Sequence, residues 1–200
     1  MVKLTSHYSG YSVMTFEDEW DSHTKEIVKQ RLGPFPENKF LTPRESQYIA
    51  MIAKHIIYDD RENILTWIIH HCDSKLSSNV GEDQRKFGTP CETKVIREGL
   101  KALDRTARQA YKKDFGSLEE EEQLKLLQDL SKGQAPQIPD WSKTPQKELF
   151  KKLAVTIVSA YYSHPDIWSE IGYAGPAYPR GYIRVELQVT DPWEAKRSGE

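Results

Sequence analysis

Thr42-Pro43-Arg44-Glu45-Ser46-Gln47-Tyr48-Ile49-Ala50-Met51-Ile52-Ala53-Lys54-His55-Ile56-Ile57 decides the fold class. Its first four residues are a helix start. A Thr hydroxyl can accept from the N3 amide, Pro suits the N1 position, and the Glu side chain reaches back to the cap. The residues that follow keep one period. Ile49, Ile52, Ala53, Ile56 and Ile57 fall at i, i+3, i+4, i+7 and i+8, which places them on one stripe of a helix.

Moving toward the C-terminus, the same grammar repeats. Asp59-Asp60 breaks the first helix, and a second begins near Arg61 with Ile64, Leu65, Ile68, Ile69, Cys72 and Leu76 at helical spacing. The polar run 77–88 reads as a loop. Thr89-Pro90-Cys91-Glu92 repeats the capping pattern and opens a long helix, with Ile96, Leu100, Leu103, Ala107, Ala110 and Tyr111 inward and Phe115-Gly116 as its stop. Ser117-Leu118-Glu119-Glu120 reads as another capping box, followed by Leu124, Leu127 and Leu130 and ended by Gly133. Thr144-Pro145 opens a last long helix whose stripe (Leu149, Phe150, Leu153, Ala154, Ile157, Val158 and Tyr161) is broad enough for burial nearly all round.

Toward the N-terminus, Thr15 is placed to cap one thin amphipathic helix through Leu32, with Phe16, Trp20, Ile27 and Leu32 on its stripe. Gly33-Pro34 and Pro36 end it, since prolines cannot continue a helix. Only 182–189 alternates with period two, putting Ile183, Val185, Leu187 and Val189 on one face. One lone strand makes no sheet of its own. The expectation is an all-α protein of about six helices. It divides into an N-terminal extension (1–40), a helical core domain (41–163) and an extended C-terminal arm (164–200).

The arm is unusual in composition. It carries Trp168, Tyr173, Tyr178, Tyr182 and Trp193 among Gly172, Gly175, Gly181, Pro176 and Pro179. A solvated linker would carry Ser, Glu and Lys instead. Gly and Pro fix the path of an ordered loop, and Trp and Tyr are rings that anchor interfaces. Two readings stand: the arm packs back over its own helices, or it docks on a partner. The residues assigned to a partner interface are Trp168, Tyr173, Gly175, Pro176, Tyr178, Pro179, Gly181, Tyr182 and Trp193.

Composition narrows the function classes. The 200 residues carry a formal charge of −2 with both signs interspersed, which provides no basic face for nucleic acid. No apolar run is long enough for a membrane span. The N-terminus has no apolar h-region and no twin arginine, so the expectation is a cytoplasmic protein or one exported with a signal-bearing partner. Cys72 and Cys91 are too few for a disulfide framework and lack metal-site spacing. They stand either as two thiols or as a single bridge closing the loop between two helices.

Candidate chemistry is sparse. His55 and Asp59 at i, i+4, with His70 or His71, would be the best metal set. Adjacent His70 and His71 point about 100° apart on a helix, however, and a helix-end His is an ordinary dipole contact. There is no Gly-x-Ser-x-Gly, phosphate loop, dinucleotide fingerprint or His-Glu-x-x-His. No catalytic, cofactor-binding or metal-ligating residue is therefore assigned. A stand-alone helical metal-dependent enzyme remains an alternative, as does a helical adaptor unrelated to redox chemistry.

Four stretches carry a family likeness: Leu41-Thr42-Pro43-Arg44-Glu45; Ile96-Arg97-Glu98-Gly99-Leu100-Lys101-Ala102-Leu103-Asp104; Phe115-Gly116 followed by 123–130; and Tyr161-Tyr162-Ser163-His164-Pro165 running on to Gly172-Tyr173-Ala174-Gly175-Pro176 and Gly181-Tyr182. In these the chain resembles subunit 3, the small or gamma subunit, of flavin-dependent gluconate 2-dehydrogenase. The resemblance implies a non-catalytic subunit that assists folding, stability and export of a large glucose–methanol–choline-type flavoprotein. FAD would sit in that partner, and a cytochrome c subunit would be a further member of the complex. Relatives commonly carry an N-terminal twin-arginine signal, which this sequence lacks.

Overall fold

The computed structural model describes residues 6–78, 90–181 and 190–197. The fold is all-α, and no strand occurs among the described residues. The alternating run 182–189 and the capping residue Thr89 lie outside them. Among the described residues seven α-helices follow one another: α1 (Ser22–Lys29), α2 (Pro43–Ile57), α3 (Glu62–Ser78), α4 (Glu92–Tyr111), α5 (Glu120–Lys132), α6 (Gln146–Tyr161) and α7 (Pro165–Ile171). The chain divides into two compact units, Glu37–Ala160 and the pair of end segments Met1–Pro36 and Tyr161–Glu200.

The central unit, Glu37–Ala160, is built by local rules. At the start of α2, Thr42 Oγ1 accepts from the Glu45 amide at 3.3 Å, and Glu45 Oε2 accepts from the Thr42 amide at 2.8 Å. This is the reciprocal box anticipated from the sequence. Tyr48, Ile49, Ile52 and Ala53 are the buried stripe, and α2 packs on α3 and α4. The core continues through Ile64, Ile68, Leu76, Ile96, Leu100, Leu103, Leu126, Leu130, Leu149 and Ile157. Gly99 lets α4 and α6 approach closely, since a Cβ there would lie 2.3 Å from Leu149 Cδ1.

Buried polar groups in this unit are matched. Trp67 Nε1 donates to the Ala160 carbonyl at 2.8 Å, and Trp141 Nε1 donates to Thr106 Oγ1 at 3.0 Å. Gln123 Nε2 donates to the Leu118 carbonyl at 3.0 Å, with His55 Nε2 3.0 Å from its Oε1. Burial without such partners would cost about 1–3 kcal/mol per group.

Several boundaries differ from the sequence reading. Cys91 is the N-cap of α4, and its side chain makes no capping bond. The α4 helix ends at Tyr111, because Lys112 turns into the left-handed region at φ 61°. Glu119, not Ser117, caps α5, in a box with Glu122. The stripe of α6 is one-sided: Leu149, Leu153, Ile157 and Ala160 are buried, while Val155 and Val158 are 56% and 38% exposed.

The unit of the chain ends follows other rules. In place of one helix from Thr15 to Leu32, a 3-10 stretch runs over Val13–Glu19 and Asp21 caps α1. Asp21 Oδ1 accepts from the His23 and Thr24 amides, which outcompetes continuation of the first helix. A 3-10 turn at Gln30–Leu32 leads to Gly33, where φ is 80°. Within the arm His164 caps α7, its Nδ1 accepting from the Asp166 amide at 3.1 Å. Trp168 on α7 packs with Val13, Trp20 and Val28 in one aromatic-rich cluster.

Candidate interaction surface

The predicted arm residues fall into two groups. Trp168, Gly175 and Trp193 are buried within the unit of the chain ends. Tyr178 and Tyr173 are 70% and 43% exposed. Pro179 is exposed, Pro176 and Gly181 are half-buried, and Tyr182 lies outside the described residues.

The buried group is held by bonds between distant parts of the chain. Ser6 Oγ donates to the Glu170 carbonyl at 2.8 Å, the Val13 amide donates to Ser169 Oγ at 3.0 Å, and Tyr11 Oη donates to the Trp193 carbonyl at 2.8 Å. Two glycines permit the approach. Gly172 (φ 74°) and Gly175 (φ 80°) occupy the left-handed region, and a Cβ on either would meet a ring, Tyr8 at 2.4 Å or Trp20 at 2.8 Å. Arg180 lies over the Trp193 ring at 5.0 Å and the Trp20 ring at 5.9 Å, and donates to the Ala174 carbonyl.

On the same unit Arg31 forms a second aromatic contact. Its guanidinium lies 5.1 Å above the Trp168 ring and donates to the Ser163 carbonyl at 2.8 Å. The Trp168 and Tyr173 rings meet edge to face at 5.4 Å, and Trp168 Nε1 donates to the Tyr162 carbonyl at 2.6 Å. Burial lowers the pKa of Arg31, with Tyr173 acting in the opposite direction.

The central unit has a groove of about 520 Å³ between the start of α2 and α4. Arg44, Tyr48, Arg97, Lys101, Asp104 and Arg105 line it, together with Leu100. Its cations already have carboxylates: Arg44 with Asp104, Arg97 with Glu45, Lys101 with Glu98, and Arg105 with Asp140. Asp104 accepts from Tyr48 Oη at 2.6 Å, from the Phe115 amide at 3.1 Å and from Arg108 Nε at 3.1 Å. Burial alone would raise its pKa, but these donors and Arg44 hold it below the ordinary carboxylate range. The groove presents no side chain set as nucleophile and base, and its network works as a clamp joining α2, α4 and the turn Phe115–Ser117.

Asp73 was not singled out from the sequence, yet it organises the entry to α2. Its carboxylate accepts from the backbone amides of Lys39, Phe40 and Leu41, each at 2.8 Å. Burial alone would raise its pKa; the amides of Leu41, Lys39 and Phe40, with His70, outweigh it and lower the value. Arg97 completes the knot, donating to the Phe40 carbonyl at 2.6 Å and lying 4.0 Å over the Phe40 ring. The signal was present: an acidic residue three positions before Leu76 on an otherwise apolar stripe.

The residues weighed for a metal go separate ways. His55 pairs with Gln123, Asp59 with Arg61 at 2.6 Å, and His70 and His71 flank the Trp67 ring. Among the described residues no three His, Cys, Asp or Glu side chains form a group able to hold a metal ion. Cys72 and Cys91 carry thiols and form no disulfide with each other. Burial pushes the Cys72 thiol up to about 12.

The family model described as gluconate 2-dehydrogenase subunit 3 matches residues 43–175. The chain belongs to this family. The match spans α2 through α7 and ends at Gly175, inside the aromatic arm. The subunit 3 family implies a multi-subunit dehydrogenase complex. No curated protein and no solved structure matches the chain. Among the described residues no helix is long and apolar enough to cross a membrane.

Proposed function

We propose that this chain is the non-catalytic small subunit of an FAD-dependent dehydrogenase complex acting on sugars or sugar acids. Its role is to stabilise and assemble the flavoprotein large subunit. FAD resides in that partner, and a cytochrome c subunit is a further candidate member. The observation that carries the reading is the family match over residues 43–175, which runs into a segment whose Tyr173 is exposed, with Tyr178 exposed just beyond it. Exposed tyrosines beside a rigid aromatic cluster suit an interface, because their rings bury large area at low entropic cost.

The test is co-expression of the full chain with a candidate flavoprotein large subunit, such as one encoded beside it. The expected result is a hetero-oligomer that co-purifies and shows flavin absorbance, with a large subunit that loses solubility when expressed alone. A chain that stays monomeric and leaves the flavoprotein's solubility and flavin content unchanged would overturn the proposal.

A further inference from the structure

Arg31 differs from the arginines of the groove between α2 and α4. Each cation of the groove between α2 and α4 has a carboxylate, and on the unit of the chain ends Lys29 pairs with Glu17 at 2.9 Å. Among the described residues no carboxylate pairs with Arg31, which is half-buried and bound to one backbone carbonyl. A guanidinium keeps its charge in such a setting and retains donors in the plane of its fork. The Trp168 ring beneath it and the Ser163 carbonyl beside it fix that plane. The desolvation is thus already borne in the free subunit, and no counter-charge among the described residues offsets it.

The surroundings of Arg31 are apolar and open. Ile27, one helical turn earlier, is 41% exposed, the adjoining Leu32 43% and Tyr173, which meets the same Trp168 ring, 43%. Tyr162, whose carbonyl holds the Trp168 indole, is 54% exposed. A pre-oriented Arg on a Trp ring, with exposed Ile, Leu and Tyr side chains nearby in sequence or on the Trp168 contacts, has the composition of an interface hot spot. Apolar neighbours that exclude water make a bidentate carboxylate–guanidinium contact stronger.

Building on the subunit reading above, we propose that Arg31 is an anchor for an aspartate or glutamate of the flavoprotein large subunit, carried on a segment whose flanking apolar side chains cover Ile27, Leu32, Tyr162 and Tyr173. The carboxylate enters in the plane of the guanidinium, and the tyrosines and aliphatics close around it.

The experiment uses the co-expressed complex of full-length chains. Arg31→Met keeps a long apolar stem on Trp168 and removes only the charge. The expected result is about tenfold or greater loss of affinity for the large subunit. Wild-type affinity should also fall with added salt, while the variant loses that dependence. Hydrogen exchange of the wild-type complex should show new protection over residues 27–32 and 161–173. This footprint reads the surface without any variant, so a misfolded Arg31→Met does not rescue the proposal. If the complex forms with wild-type affinity in the folded variant, or without the footprint, the anchor is overturned while the subunit reading stands. If wild-type chains do not associate, both fall. A concentration-dependent dimer of this chain alone, abolished by Arg31→Met, would assign the surface to a second copy and overturn the proposal.

Discussion

The two units of this molecule are built from different materials. The central unit is aliphatic: Ile49, Ile52, Ile64, Ile68, Leu103, Leu130 and Leu149 fill it, and caps such as Thr42–Glu45 lie within one turn of sequence. The unit of the chain ends is aromatic, with Trp20, Trp168 and Trp193, and its defining bonds join residues separated by 132 to 182 positions. Aliphatic stripes on capped helices tolerate adjustment, because helices slide and repack. Rings held by carbonyls and by glycines at positive φ have one fit. The central unit is thus a scaffold, and the other a unit whose rings have one fit.

Substitutions can break or sharpen this contrast. Trp168→Ala removes the ring shared by Val13, Trp20, Val28, Arg31 and Tyr173, and is expected to cost about 3–5 kcal/mol. Hydrogen exchange should locate the loss in residues 6–36 and 161–181. Equal loss throughout α2, α3 and α4 would abolish the distinction between the units.

Asp73→Asn leaves three amides facing an uncharged and partly donating group, a loss of about 3 kcal/mol measurable by urea denaturation. The pH dependence has a definite sign. The folded-state value of Asp73 is lowered, so its contribution is complete above the unfolded carboxylate value of about 3.9 and fades as pH falls through the folded value. The Asn variant should show a shallower acid transition than the wild type, and an identical slope would remove Asp73 from the account.

Two glycines sharpen the comparison further. Gly175→Ala adds a Cβ 2.8 Å from Trp20 in a left-handed conformation, with an expected loss of about 2 kcal/mol. Gly99→Ala meets Leu149 even more closely, at 2.3 Å. There overpacking of about 1–3 kcal/mol is offset by about 1 kcal/mol of helix propensity, leaving a loss of about 1 kcal/mol. Thermal denaturation of the two variants should rank Gly175→Ala as the more damaging; the reverse order would mean that the aromatic unit adapts as well as the helical one.

The smallest effect concerns Cys72, whose thiol is pushed up to about 12 by burial. At pH 8 its thiolate fraction is on the order of 10⁻⁴, so thiol reagents should label it only after unfolding. Labelling in the native protein would show that α3 and α4 open locally.

The helical scaffold was legible because its determinants are near in sequence. Thr42-Pro43-Arg44-Glu45 and the isoleucine period of α2 could be read directly, and the family likeness in Tyr161 to Gly175 agrees with the match over residues 43–175. The fold of the chain ends was not legible, because no local rule pairs Val13 with Ser169 or Tyr11 with Trp193. The 3-10 stretch and α1 replaced the single helix expected there because Asp21 caps more strongly than the thin stripe of Phe16, Trp20, Ile27 and Leu32 can hold a continuous helix. Arg31 carried no signal at all, since its meaning depends on Trp168 and Ser163.

The bonds that tie residue 13 to 169 and residue 11 to 193 also set an order of events during synthesis. The segment around residues 11–13 is synthesised more than 150 residues before its partners exist. At 5–20 residues per second that interval is on the order of ten to thirty seconds, during which Val13, Trp20 and Val28 lack the Trp168 ring that completes their cluster. Helices α2 to α5 can associate as they emerge, so the scaffold precedes the surface. A partner or chaperone acting on the nascent chain would meet a nearly finished helical unit beside an N-terminal segment whose aromatic cluster still lacks Trp168.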